Sequence, residues 1–186
     1  MAVEVERARR RFTRAEYRRM VDVGIIKPDD RVELIRGEIV EMSPPGRRHI
    51  AIVNNLNRLL VLRLGDRAVV SVQNPVVVAD DSEPQPDLAV LRARSYMEVE
   101  PVREDVLLLI EVAETSLRYD RSTKLRLYAE TGVAEYWVVD CAATAVEVNR
   151  GATADGYRQV ARVDRDGTVS PAAFPDVSVT LREIFA

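Results

Sequence analysis

The sequence predicts an α/β protein with a mixed sheet. Short runs rich in Val, Ile and Leu are separated by two segments of helical periodicity. The order along the chain is helix, strands, helix, strand, which is the pattern of an α/β core. The chain has 186 residues, net charge −3 and 47% apolar residues, enough for one domain, residues 1–186, with a substantial core.

Each element has a local reason. Thr13 with Glu16 three residues on is a capping box, so a short helix runs to about Val23 with Gly24 as its stop. VELIRGEIVEM reads as a hairpin turning at Arg36-Gly37, and SPPG breaks it. From Arg48 to Leu64, Ile52, Leu56, Leu59 and Leu60 recur at helical spacing, and Gly65 ends the run. AVVSVQ, PVVVA, PDLAVL and REDVLLLIEVA read as strands, with DDSEP an acidic turn. The next helix starts near Asp120, carries Lys124, Leu127 and Tyr128, and stops at Thr131-Gly132. AEYWVVD, AVEVNR and YRQVARV follow as strands, and Asp166-Gly167 supplies a tight turn. The tail docks through Val179, Leu181 and Phe185.

Composition excludes several classes. Cys141 is the only cysteine and His49 the only histidine, so disulfides within the chain, Cys-based zinc clusters and multi-His metal sites are excluded. No apolar stretch is long enough to cross a bilayer, and the N-terminus lacks a signal-peptide core, so a cytoplasmic setting is expected. The acidic balance means that any nucleic-acid contact must use local positive charge. Arginines cluster at Arg7, Arg9, Arg10, Arg11 and Arg14, at Arg47 and Arg48, and at Arg118, Arg121 and Arg126. Lys27 and Lys124 are the only lysines.

Three residues stand out chemically. Asp87 enters the strand LAVL after Pro86, and Glu111 interrupts the apolar run VLLLIEVA. A carboxylate in such a place is costly unless paired, hydrogen-bonded or metal-bound. Strand alternation puts Leu107, Leu109 and Glu111 on one face, with Leu108, Ile110 and Val112 on the other. Two carboxylates on neighbouring strands suit Mg²⁺ or Mn²⁺, with the Val112 carbonyl as a third protein ligand and water and phosphate completing the shell. Lys124 can then orient the attacking water or stabilise charge on the phosphate. The bland alternatives are a strand-end Glu paired with an arginine, an Asp bonding its own turn, and a Lys124 that pairs with Asp120 on an exposed helix face.

PQPDLAVL followed by LLLIEVAE resembles the PD-(D/E)XK nuclease superfamily, which has the restriction-endonuclease-like fold. The longer pattern from Val32 to Asp140, VELIRGEIVEMSPPGRRHIAIVNNL with PDLAVL and LLLIEVAETSLRYDRSTKLRLYAETGVAEYWVVD, resembles the Uma-two family. The superfamily lysine would fall at position 113, which is Ala113; the family resemblance places it on the following helix, at Lys124. The resemblance implies a core of helix, three strands, helix and strand over about 32–140. An extra N-terminal helix and hairpin and C-terminal strands would decorate it. It implies a Mg²⁺-dependent endonuclease acting on DNA as a homodimer, with Asp87, Glu111 and Lys124 catalytic. It suggests Glu33 as an additional acid near the metal, against an exposed strand residue, and His49 as a phosphate or metal-shell contact, against a capping or packing role. Gln85 is a pocket residue beside Asp87. Tyr128 either faces the cleft or packs in the core, and Trp137 is core or a subunit contact. Two rivals are a non-catalytic nucleic-acid-binding or protein-interaction domain that retains the fold, and a structural dimer whose carboxylates are satisfied by arginines such as Arg121.

Overall fold

The structure is a computed structural model and describes residues 9–186; Arg7 lies outside them. Helix α1 (Arg14–Asp22) is closed at its start by the reciprocal Thr13–Glu16 capping box. The hairpin of β1 (Val32–Ile35) and β2 (Glu38–Glu41) turns at Arg36 and Gly37, with φ of 51° and 76°. Two successive positive φ values make the tight turn that suits the twist of a hairpin. At Gly37 an added Cβ would also meet the Arg11 side chain at 2.6 Å.

Helix α2 (Arg47–Leu64) leads into the central sheet of six strands. These are β3 (Ala68–Val72), β4 (Leu88–Arg92), β5 (Val106–Ala113), β6 (Glu135–Asp140), β7 (Ala145–Thr153) and β8 (Gly156–Val163), in spatial order β3-β4-β5-β6-β7-β8. All neighbours are antiparallel except β5 and β6, which are parallel. A parallel pair needs a crossover, and residues 117–130 supply it. That segment is α3 (Leu117–Tyr119), a π-helical turn (Asp120–Lys124) and α4 (Leu125–Glu130). Short strands β9 (Thr168–Val169) and β10 (Val179–Thr180) pair with each other and precede α5 (Leu181–Ile184). The sheet is mixed and carries helices, as the sequence predicts.

The sheet separates two apolar cores. One joins α2 to Leu108, Ile110 and Val112 of β5 and to Val179, Leu181 and Ile184 of the tail. The other joins Leu127 and Tyr128 of α4 to Val106, Leu109 and Ala113. A third, smaller cluster of Tyr17, Ile26 and Leu34 ties α1 to the hairpin.

Three local expectations need correction. PVVVA is not a strand of the sheet. Val76 and Val78 are buried, but their N–H groups go to Pro84 and Ser82 across a tight loop. Leu107 leaves the face of Leu109 and Glu111, because the β4–β5 register slips between Val90↔Leu108 and Leu91↔Val106. The extra residue makes a bulge and turns Leu107 toward the α2 core. The helix expected to start near Asp120 starts at Leu117, three residues earlier. Trp137, by contrast, is a core residue as one of its two expected readings had it; it is fully buried and donates Nε1–H to Glu135 at 2.8 Å.

Candidate active site

The mouth of β4 and the C-terminal half of β5 open onto a cavity of about 510 Å³. Asp87, Glu111, Val112 and Lys124 all line it, and so do Glu33, His49 and Gln85. Five elements therefore deliver residues that are up to 91 positions apart (124 − 33). Tyr128 is fully buried under Glu111, its ring edge-on to Tyr136 at 4.9 Å, and its hydroxyl donates to Glu111 Oε1 at 2.9 Å. It is both a core residue and a hydrogen-bond partner of the site.

Asp87 is anchored by backbone and side chains together. Its Oδ2 accepts the Val112 N–H at 2.8 Å, and its Oδ1 receives Gln73 Nε2 at 3.3 Å. His49 Nε2, from the first turn of α2, lies 2.9 Å from the same Oδ1. The β4–β5 ladder ends at Leu88↔Ile110, and Pro86 has no N–H with which to extend it. The Asp87 carboxylate thus takes over where the ladder stops. Burial pushes its pKa up, but the His49 contact and the Val112 N–H outweigh that and hold it below the ordinary value.

Lys124 is not an exposed helix lysine. It is 5% exposed, and its Nζ donates to Glu111 Oε1 at 2.8 Å and to Glu33 Oε2 at 3.0 Å. Glu33 is likewise buried and accepts the Gln85 N–H at 3.1 Å, which ties the hairpin to the site. Burial pulls the Lys124 pKa down, but the charges of Glu111 and Glu33 dominate and raise it, so the ammonium stays charged. Glu111 moves the other way. Burial lifts it well above its ordinary value; Lys124 opposes this, and Asp120, Asp87 and Glu33 add to it.

Asp120 is the member that the sequence reading missed. It is 2% exposed, lines the cavity and accepts a hydrogen bond from Ser116 Oγ at 2.5 Å. The π turn widens the helix, so Leu125 N–H bonds the Asp120 carbonyl five residues back. Four residues spaced by a wider turn stay close to one line, and Asp120, Lys124 and Tyr128 all reach the β5 side. The signal available in the sequence was that same spacing of four. Arg121 does not satisfy these carboxylates, because it pairs with Glu147 at 2.5 Å and Asp140 at 3.1 Å.

The cavity therefore holds four buried carboxylates, Glu33, Asp87, Glu111 and Asp120, against one buried ammonium. Two further buried atoms on its wall, His49 Nδ1 and Tyr119 Oη, have no hydrogen-bond partner among the described residues. Burial pushes the Tyr119 hydroxyl up to about 12. Unpaired buried polar atoms beside surplus negative charge suit a polar, cationic occupant. Among the described residues, no three His, Cys, Asp or Glu side chains stand together as a ready-made metal cage.

Asp120 gives a direct test of this charge surplus. Burial raises its carboxyl from 3.8 to about 6, with Asp87 and Glu33 adding to the rise and Ser116 and Lys124 opposing it. Between about pH 4 and 6 the folded chain keeps a proton that the unfolded chain has lost, so stability falls as pH rises through that window and levels off above it. Asp120→Asn keeps an acceptor for Ser116 and removes the charge. It is expected to raise metal-free stability at pH 7 by on the order of 2 kcal/mol and to flatten the slope. Thermal melts from pH 4 to 8 in a chelator read both, and a variant with the wild-type slope assigns the effect to another group.

The chain matches the Uma2 family, described as "Putative restriction endonuclease", over residues 14–182. It belongs to that family. The fold is also similar to the crystal structure of "a putative nuclease belonging to DUF820 from Anabaena variabilis". The TM-score is 0.72 at 15% identity, covering 88% of this chain and 94% of that one. No curated protein matches. Uma2 membership supports a nuclease-like function, and the structural likeness establishes the fold. Among the described residues no helix is long and apolar enough to cross a membrane.

Proposed function

We propose that this Uma2 protein is a divalent-metal-dependent hydrolase of nucleic-acid phosphodiesters, with DNA as its substrate. The observation that carries the reading is the convergence of Asp87, Glu111 and Lys124 on one cavity with more buried carboxylates than cations. The donor set fits a hard cation, since Mg²⁺ commonly takes one or two protein carboxylates and fills the rest of its shell with water and substrate phosphate. Asp87 and Glu111 would hold it, with the Val112 carbonyl beside them. Glu111 Oε2 carries no hydrogen bond from the described residues, Oε1 alone being shared by Lys124 and Tyr128. When bound, the cation polarises the phosphate and lowers the pKa of the attacking water.

The protein's own groups prepare that reaction. The Val112 N–H and His49 fix the Asp87 carboxylate. Glu33 and Glu111 fix the Lys124 ammonium from two sides, so it meets negative charge growing on the phosphate without reorganising. Tyr128 fixes the Glu111 rotamer from below. A duplex has two strands, so homodimerisation accompanies this proposal.

Cleavage of plasmid, single-stranded DNA and RNA with Mg²⁺ or Mn²⁺ tests the reading, together with melting temperatures in cation and in chelator. Cation is expected to raise the wild-type melting temperature, because it binds only the folded state. Glu111→Gln retains an acceptor for Lys124 and Tyr128 while removing one of the crowded charges. It is expected to melt higher than wild type in chelator and to lose the response to cation. A folded wild type that cuts no nucleic acid and gains no stability from either cation would move the assignment to a nucleic-acid-binding or interaction domain.

A further inference from the structure

A second cleft, of about 740 Å³, opens at the N-terminal end of α2. Its wall is made by Arg48 of α2, Thr144 of the β6–β7 turn, Arg165 and Asp166 after β8, and Arg182, Phe185 and Ala186 of the tail. Its side chains carry three guanidiniums against one carboxylate. Arg182 is engaged by Asp166 through hydrogen bonds of 2.9 and 2.8 Å. Arg48 and Arg165 are exposed and have no acidic partner among the described residues.

The turn beside them is strained. Thr144 has φ of 52°, a conformation in which Gly or Asn is the ordinary occupant and a β-branched residue an outlier. The chain thus keeps a hydroxyl-bearing side chain on this wall against its backbone preference. Backbone strain of this kind concentrates at ligand sites. The position of the cleft matters as much as its charge. Arg48 is the immediate neighbour of His49, which touches Asp87, so the first turn of α2 serves both cavities.

We propose that this cleft is a phosphate-binding subsite that holds the nucleic-acid backbone beyond the cavity of Asp87 and Glu111. The identity of the ligand rests on the hydrolase reading above. A chain of net charge −3 must gather its cations where a polyanion lies, and two open guanidiniums are suited to bidentate capture of phosphate.

Fluorescence anisotropy of labelled duplex and single-stranded DNA in chelator tests binding without cleavage. The double variant Arg48→Gln/Arg165→Gln is compared with Arg158→Gln, an exposed β8 arginine that lines neither cleft. The double variant is expected to bind about tenfold more weakly at ~0.1 M salt, with a log–log salt slope shallower by about 1 to 2. The control stays within about twofold of wild type. Thr144→Gly relieves the strain, so it is expected to melt higher than wild type and yet bind more weakly. Affinity and slope equal to the control in the double variant, with wild-type binding in Thr144→Gly, overturn the subsite while leaving the hydrolase reading intact. Arginine-dependent binding without metal-dependent cleavage does the reverse. No binding by the wild type overturns both.

Discussion

Lys124→Ala is expected to abolish most cleavage and to remove a large share of the stability. Among the described residues, the ammonium is the one buried cation bridging two buried carboxylates, Glu33 and Glu111. Removing one partner of a buried pair leaves an uncompensated charge and costs about 3–5 kcal/mol, against a total of about 5–15 kcal/mol for a typical domain. The loss is larger than anything a surface lysine would show. Cleavage is expected to fall by about 10²–10³-fold, the scale of a lost electrostatic stabiliser. Divalent cation supplies charge to the same carboxylates, so the variant should recover part of its melting temperature in Mg²⁺ without recovering activity. Lys124→Arg separates the two roles. A planar guanidinium restores the charge but not the compact geometry, so stability returns in part and cleavage does not. Melts in chelator and in Mg²⁺, with plasmid cleavage on the same samples, read both; wild-type behaviour of Lys124→Ala in each would remove the lysine from mechanism and core alike.

Asp87→Asn is expected to lose cleavage by about 10³-fold or more while the chain still folds, because a proposed metal ligand is neutralised without a change of shape. The amide oxygen can still accept the Val112 N–H, and the loss of one negative charge relieves Glu111 and Asp120. Against that, the amide NH₂ cannot accept from His49 or Gln73. Stability in chelator should therefore move by only about 1–2 kcal/mol. Calorimetric titration with Mn²⁺ should show weakened or absent binding. Metal-stimulated cleavage at the wild-type rate would exclude Asp87 as a ligand.

How far the sequence carried these residues follows from what each leaves in a one-dimensional pattern. Glu111 is legible because a carboxylate breaks an apolar run. Asp87 is legible because it enters a buried strand behind a proline. The hairpin turn at Arg36-Gly37 and the caps at Thr13 and Gly65 are local chemistry and need no tertiary information. Leu107 was misplaced because a bulge is a property of two strands, and the register of β4 cannot be read from β5 alone. PVVVA carries strand composition because Val76 and Val78 are buried, yet burial and ladder pairing are different things. Asp120 was hidden by its own spacing. An acid four residues before a lysine is the ordinary signature of an exposed helix pair, and only the packing of 117–130 against β5 shows that both are buried.

The π turn between Asp120 and Lys124 has a consequence for how this segment tolerates insertion and deletion. A π turn accommodates more residues than an α turn, with bonds spanning five residues instead of four. Removing one residue there would let the backbone fall back to the commoner geometry. A one-residue insertion has no such outlet and would swing α3 by about 100° relative to α4. Asp120 would leave the line it shares with Lys124 and Tyr128, although every side chain in the set was still present. The site is thus specified by a residue count between two fixed points as well as by residue identity. A single-residue insertion in 117–125 is more damaging to it than many substitutions within the same stretch.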